Sequence, residues 1–137
     1  MNCTYTLQEL PHIAGKVLDR LPSKTVLFHG AMGVGKTTLI KELTKQLGSL
    51  DPVSSPTFSL VNEYALPEDK LYHFDFYRLE DVEEAYDMGI EEYLDSDHWK
   101  FIEWPERIVS LLPDDNVTIE LTKNTNGSRT LSVMPVK

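Results

Sequence analysis

The chain has a single cysteine, Cys3, in 137 residues. A lone thiol closes no internal disulfide and builds no thiolate metal site. No apolar run approaches the roughly 20 residues that cross a bilayer, and the opening "MNCTYTLQEL" lacks the basic stretch and apolar core of a secretory signal. These absences give the expectation of a cytoplasmic protein. Positive charge is scarce as well: 13 Lys and Arg stand against 22 Asp and Glu, a net charge of −9, and only four residues are arginine. That balance argues against a broad basic face that grips nucleic acid by its phosphates, so a role near RNA would need another protein to do most of the holding. His12, His29, His73 and His98 have no metal-ligand spacing. Repeats and low-complexity segments are also missing. What remains is an ordinary globular composition, 41% hydrophobic and 26% charged, in a length that suits one domain with a real core.

The periodicities order that domain. Leu7, Leu10, Ile13, Ala14, Val17, Leu18 and Leu21 recur at helical spacing, which predicts a helix from Thr6 to Leu21, opened by a Thr6–Glu9 capping box and ended by Pro22. Thr25 to His29 reads as a buried strand, and Lys36 to Leu47 as a helix with Gly48 beyond its end. Two strands, 59–65 and 70–78, joined by "LPED" predict an antiparallel hairpin. Short helical stretches "DVEEAYDMG" and "IEEYLDS" follow, then the strand "KFIEW" and a helix starting at Pro105. "NVTIELT" and "RTLSVMP" form a last hairpin around Asn126-Gly127. Three strands that end in polar residues and run into loops or helices predict an α/β domain of three layers, its parallel sheet core flanked by antiparallel strands.

Between the first strand and its helix stands "GAMGVGKT", Gly30 to Thr37, which fits the phosphate-loop pattern G-x-x-x-x-G-K-[ST]. Glycines let backbone N–H groups converge on a phosphate, and the following helix aims its free N–H groups and positive dipole end at the same anion. Lys36 supplies charge to the β- and γ-phosphates and the Thr37 hydroxyl can ligate Mg²⁺. The bland alternative, a glycine turn with a surface lysine, does not explain why a strand precedes the loop and a helix follows it. Such a loop also needs a carboxylate for Mg²⁺ and a group that orients the attacking water. Asp75 in "LYHFDFYR" and Glu103 in "FIEWPE" stand at strand ends, where open α/β sheets bind ligands. A solvated strand carboxylate and a helix-capping glutamate are their alternatives. Thr57 in "SSPTFSL" is placed to sense a γ-phosphate through Mg²⁺, or to enter a strand. Trp104 either shields the site, meets a partner, or packs in the core.

Four phrases, "GAMGVGKTTL", "SSPTFSLVNEY", "LYHFDFYRL" and "FIEWPER", together resemble the TsaE (YjeE) family, small P-loop ATPases of tRNA threonylcarbamoyladenosine biosynthesis, over nearly the whole chain. The resemblance implies a P-loop NTPase domain that binds and hydrolyses Mg-ATP in support of partner proteins TsaD and TsaB, which modify the adenosine next to the anticodon. It implies that Met32, Gly33, Val34, Gly35, Lys36 and Thr37, with Thr38 beside them, contact phosphate. It implies further that Thr37, Glu103 and Asp75 serve Mg²⁺, that Lys36, Asp75 and Glu103 carry the chemistry, and that Thr57 belongs to the site. Thr6 and Arg129 are implied nucleotide contacts from the two chain ends.

Two other readings share the phosphate loop. A small-molecule kinase needs an acceptor pocket and an arginine-bearing lid; Arg20, Arg78, Arg107 and Arg129 are scattered and no lid insertion is visible, although Arg78 could act on phosphate in cis. A nucleotide-dependent adaptor with slow turnover is poorly separated from an ATPase by sequence. No Asn/Thr-Lys-x-Asp base-reading motif follows, so adenine comes from the resemblance alone.

Overall fold

A computed structural model of the chain describes residues 1–52 and 60–135. Its strands are β1 (Asn2–Tyr5), β2 (Thr25–His29), β3 (Val61–Leu66), β4 (Asp69–Asp75), β5 (Trp99–Glu103), β6 (Val117–Lys123) and β7 (Arg129–Pro135). Its α-helices are α1 (Leu10–Asp19), α2 (Lys36–Gln46), α3 (Val82–Asp87) and α4 (Ile90–Asp95), with 3-10 turns at Leu7–Glu9 and Pro105–Leu111. Among the described residues the strands form one sheet in the order β1-β7-β6-β2-β5-β4-β3. The middle four, β6, β2, β5 and β4, run parallel. The pairs β1–β7, β6–β7 and β3–β4 are antiparallel. This is the expected parallel core with antiparallel flanks.

Alternation along the central strands sends side chains to two cores. Val26, Phe28, Leu71 and Phe101 pack against Ile13 and Val17 of α1 and Leu39, Ile40 and Leu43 of α2. Leu27, Tyr72, Phe74 and Ile102 pack against Ala85 of α3, Ile90 and Leu94 of α4, and Ile108. The sheet is thus the middle of three layers. No helix among the described residues is long and apolar enough to cross a membrane.

Several boundaries differ from the sequence reading, for local reasons. The first helix begins as a 3-10 turn because Pro11, at the start of α1, has no N–H to bond back to Leu7. It stops at Asp19, before the residue that Pro22 bars from helical geometry. Strand β4 ends at Asp75 rather than Arg78, since the Asp75 carboxylate accepts the Tyr77 N–H at 3.0 Å and turns the chain. The helix expected after Pro105 is a pair of 3-10 turns kinked at Ile108. Strand β1 was not anticipated at all; it adds an antiparallel edge to β7.

The topology fixes where chemistry can occur. Registers Phe28↔Glu103 and Asp75↔Glu103 bring the carboxyl ends of β2, β5 and β4 level with one another. The loop leaving β2 and both strand-end carboxylates therefore share one edge of the sheet.

Candidate active site

Gly30 leaves β2 with φ +154°, and a Cβ there would sit 2.7 Å from the Leu121 carbonyl oxygen and 2.8 Å from Val34 Cγ2. Only glycine lets the loop pass this close to β6. The Val34 side chain is tucked into the core, and its carbonyl accepts the Arg129 Nε–H at 2.7 Å. Gly35, at φ +104°, turns the chain into α2, leaving the first N–H groups of the helix facing outward.

Lys36 is 5% exposed. Its Nζ donates to the Gly30 carbonyl at 2.7 Å and lies 3.8 Å from the centroid of the Trp104 ring. Burial pushes its pKa down, against the pull of the Glu103, Glu106 and Asp75 carboxylates. Among the described residues no carboxylate comes within ion-pair distance of it. An anion entering here would meet a preformed cation that lacks a direct counter-charge.

Glu103 ends β5 at 3% exposure. Its Oε1 accepts the Thr37 hydroxyl at 3.2 Å, and its Oε2 lies 2.7 Å from His73 Nε2. Asp75, its register neighbour, is half-buried, and burial raises its pKa, with the Glu103 charge acting in the same direction. Trp104 follows Glu103 in the left-handed region, φ 56° and ψ 51°, a conformation that bulky residues adopt at a cost of about 1–3 kcal/mol. That turn lays its ring over Lys36 and within 4.9 Å of the Tyr77 ring centroid.

These groups surround a cleft of about 340 Å³ lined by Met32, Gly33, Gly35, Lys36, Thr37, Thr38, Asp75, Glu103, Trp104 and Arg129. Val34 contributes backbone to the same loop. Thr6 does not line the cleft: its N–H and hydroxyl both donate to Glu9, at 2.9 and 3.1 Å, and it stands one residue beyond Tyr5, the register partner of Arg129. Arg78 is exposed and lies outside the cleft wall. Thr57 falls outside the described residues. Alternation along β4 places His73 on the face of Asp75, and the register of β4 against β5 brings it to Glu103, a contact the sequence alone did not give. Nothing in the sequence announces the left-handed Trp104.

The donors suit a magnesium nucleotide. Thr37 and the two carboxylates offer hard oxygen atoms, and the glycine loop leaves the space a phosphate would fill. Among the described residues no three or more His, Cys, Asp or Glu side chains converge to cage a metal.

The sequence model of the family described as "Threonylcarbamoyl adenosine biosynthesis protein TsaE" matches residues 4–131. This chain belongs to the TsaE family. A TsaE protein of Treponema pallidum is 36% identical over 121 residues, 88% of this chain and 87% of the relative. That of Haemophilus influenzae is 40% identical over 96 residues, 70% of this chain and 61% of the relative. That of Bacillus subtilis is 33% identical over 115 residues, 84% of this chain and 72% of the relative. Each is named a tRNA threonylcarbamoyladenosine biosynthesis protein. The crystal structure of Bacillus subtilis YdiB superposes with a TM-score of 0.76 at 23% identity, covering 100% of this chain and 86% of that one, and so shares the fold.

Proposed function

We propose that this TsaE-family chain is a P-loop ATPase that binds and hydrolyses Mg-ATP to support or reset a TsaB–TsaD complex, which places threonylcarbamoyl on the tRNA adenosine next to the anticodon. TsaD transfers the group; contact with tRNA is indirect, through the complex, and the work is cytoplasmic. The observation that carries the ATPase reading is the convergence of Lys36, Thr37, Glu103 and Asp75 on one cleft at the carboxyl edge of the sheet. The partners and the adenine base rest on family membership.

In this reading the backbone of residues 32–37 and the N-terminus of α2 hold the β-phosphate, with Thr38 beside them. Lys36 exchanges its bond to the Gly30 carbonyl for phosphate oxygens, keeping the Trp104 ring behind it. Thr37, Glu103 and Asp75 would hold Mg²⁺, which would supply positive charge against the phosphoryl oxygens. Asp75 and Glu103 orient the attacking water. Arg129 fixes the loop through the Val34 carbonyl and presents its guanidinium to the nucleotide, and Thr57 senses the γ-phosphate. Among the described residues no arginine besides Arg129 lines the cleft, so turnover is weak until a partner completes the site.

Steady-state phosphate release with nucleotide-binding titrations tests this. Lys36→Ala should abolish hydrolysis and weaken ATP binding. Glu103→Ala should slow kcat by about 10²–10³ while changing nucleotide affinity far less. An unchanged rate in Glu103→Ala removes Glu103 from the site.

A further inference from the structure

His73 is fully buried on β4, on the face of the sheet that packs against α2. A buried imidazole needs partners for its ring nitrogens. Here Nε2 meets Glu103 Oε2 at 2.7 Å; an ionised carboxylate only accepts, so Nε2 carries the hydrogen. Nδ1 has no hydrogen-bond partner among the described residues. On the ring's flank lies Tyr64, with centroids 6.4 Å apart. The imidazole thus spends its one polar contact on Glu103.

The consequence is a division of labour between the two oxygens of Glu103. The β4–β5 register sets His73 beside Phe101 and Asp75 beside Glu103, so His73 reaches Glu103 from one rung deeper in the sheet. It does not line the cleft. Oε2 is held from that side. Oε1 is the oxygen nearer the Thr37 hydroxyl at the cleft wall, 3.2 Å against 3.5 Å for Oε2. Without His73, Oε2 would keep only the 3.5 Å approach of the Thr37 hydroxyl, and a carboxylate this buried would rotate toward a better donor.

We propose that His73 is a positioning residue: it clamps Oε2 of Glu103 so that Oε1 faces Thr37 and the metal side of the cleft, and thereby sets the affinity for the divalent cation of a bound nucleotide. This rests on the role given to Glu103 above. His73 itself touches neither nucleotide nor attacking water.

The test uses the full chain and measures ADP binding, by titration calorimetry, with chelator and over a series of Mg²⁺ concentrations, together with the Mg²⁺ dependence of ATP turnover. The variants are His73→Leu, His73→Asn, His73→Gln and Glu103→Ala. Asn is polar but too short to reach Oε2, whereas the Gln amide nitrogen can take the place of Nε2. His73→Leu and His73→Asn should raise the Mg²⁺ concentration for half-maximal effect by about tenfold or more, leave metal-free ADP affinity within about twofold, and be largely rescued in His73→Gln. Combining His73→Leu with Glu103→Ala should add little to Glu103→Ala alone. If His73→Leu does not fold, the Asn–Gln pair carries the comparison. A wild-type Mg²⁺ response in His73→Asn, beside a lost response in Glu103→Ala, overturns the clamp and leaves the ATPase reading standing. An equal loss of metal-free and metal-dependent binding in His73→Asn also overturns it, because that is general damage. A wild-type response in Glu103→Ala overturns the role of Glu103 and the clamp with it.

Discussion

At the scale of single residues the site is a set of charges held out of water before any ligand arrives. Lys36 lies between a carbonyl and an indole ring, Glu103 between a threonine and a histidine, and Asp75 is half-buried beside Glu103. Asp75 shows what this costs the fold. Its carboxyl titrates above the ordinary 3.8 because burial disfavours the charged form. Between the unfolded and folded pKa values the folded state therefore binds more protons, so stability falls as pH rises through that window. The penalty is fully present at neutral pH and absent below the unfolded value. Asp75→Asn keeps an acceptor for the Tyr77 N–H and should raise the Tm of the nucleotide-free protein at pH 7, with the gain vanishing in acid below pH 3.8. A thermal melt series across pH checks it; equal gains at all pH values would mean that charge is not the cause. The individual carboxylates were legible in sequence because each interrupts an apolar strand at its end. The contact of Glu103 with His73 was not, because it depends on the register of β4 against β5, which no local pattern encodes.

At the scale of elements, the phosphate loop is shaped by its neighbours as much as by its own glycines. β6 approaches Gly30 so closely that a methyl group would strike the Leu121 carbonyl. Arg129, at the start of β7, ties down the Val34 carbonyl at 2.7 Å and the Gly127 carbonyl at 2.6 Å. Gly30→Ala should destabilise the protein by about 1–3 kcal/mol through this overlap, measured by urea unfolding, and should weaken nucleotide binding by displacing the loop. A stable variant with normal binding would show that the loop does not need the close approach. Strand β2 and helix α2 match the sequence reading almost to the residue, because propensity, apolar period and loop chemistry agree there. Strand β1 was hidden: its four residues, Asn2–Tyr5, are too few to show a period, and its partner β7 lies at the far end of the chain. The kinked turns after Pro105 were misread as a helix because Pro at a first position is common to both.

At the scale of the whole molecule, charge is unevenly spread. Nine acidic residues and no basic one fall between Glu80 and Asp97, all of them exposed around α3 and α4. That side faces away from the layer of α1 and α2, and it suits a basic protein partner better than RNA phosphate. Sequence supplied the sign of this surface and the fold supplied its location. In the proposed function, a phosphate cradle with two strand-end carboxylates serves as an ATPase whose turnover is completed by the tRNA-modifying complex. The most direct measurement is ATP turnover by the chain alone and with TsaB, TsaD and tRNA, at low and at raised salt. Turnover should be weak alone and markedly stimulated by the partners, and that stimulation should be lost as salt screens the acidic face. Turnover that the partners leave unchanged at every salt concentration would contradict it.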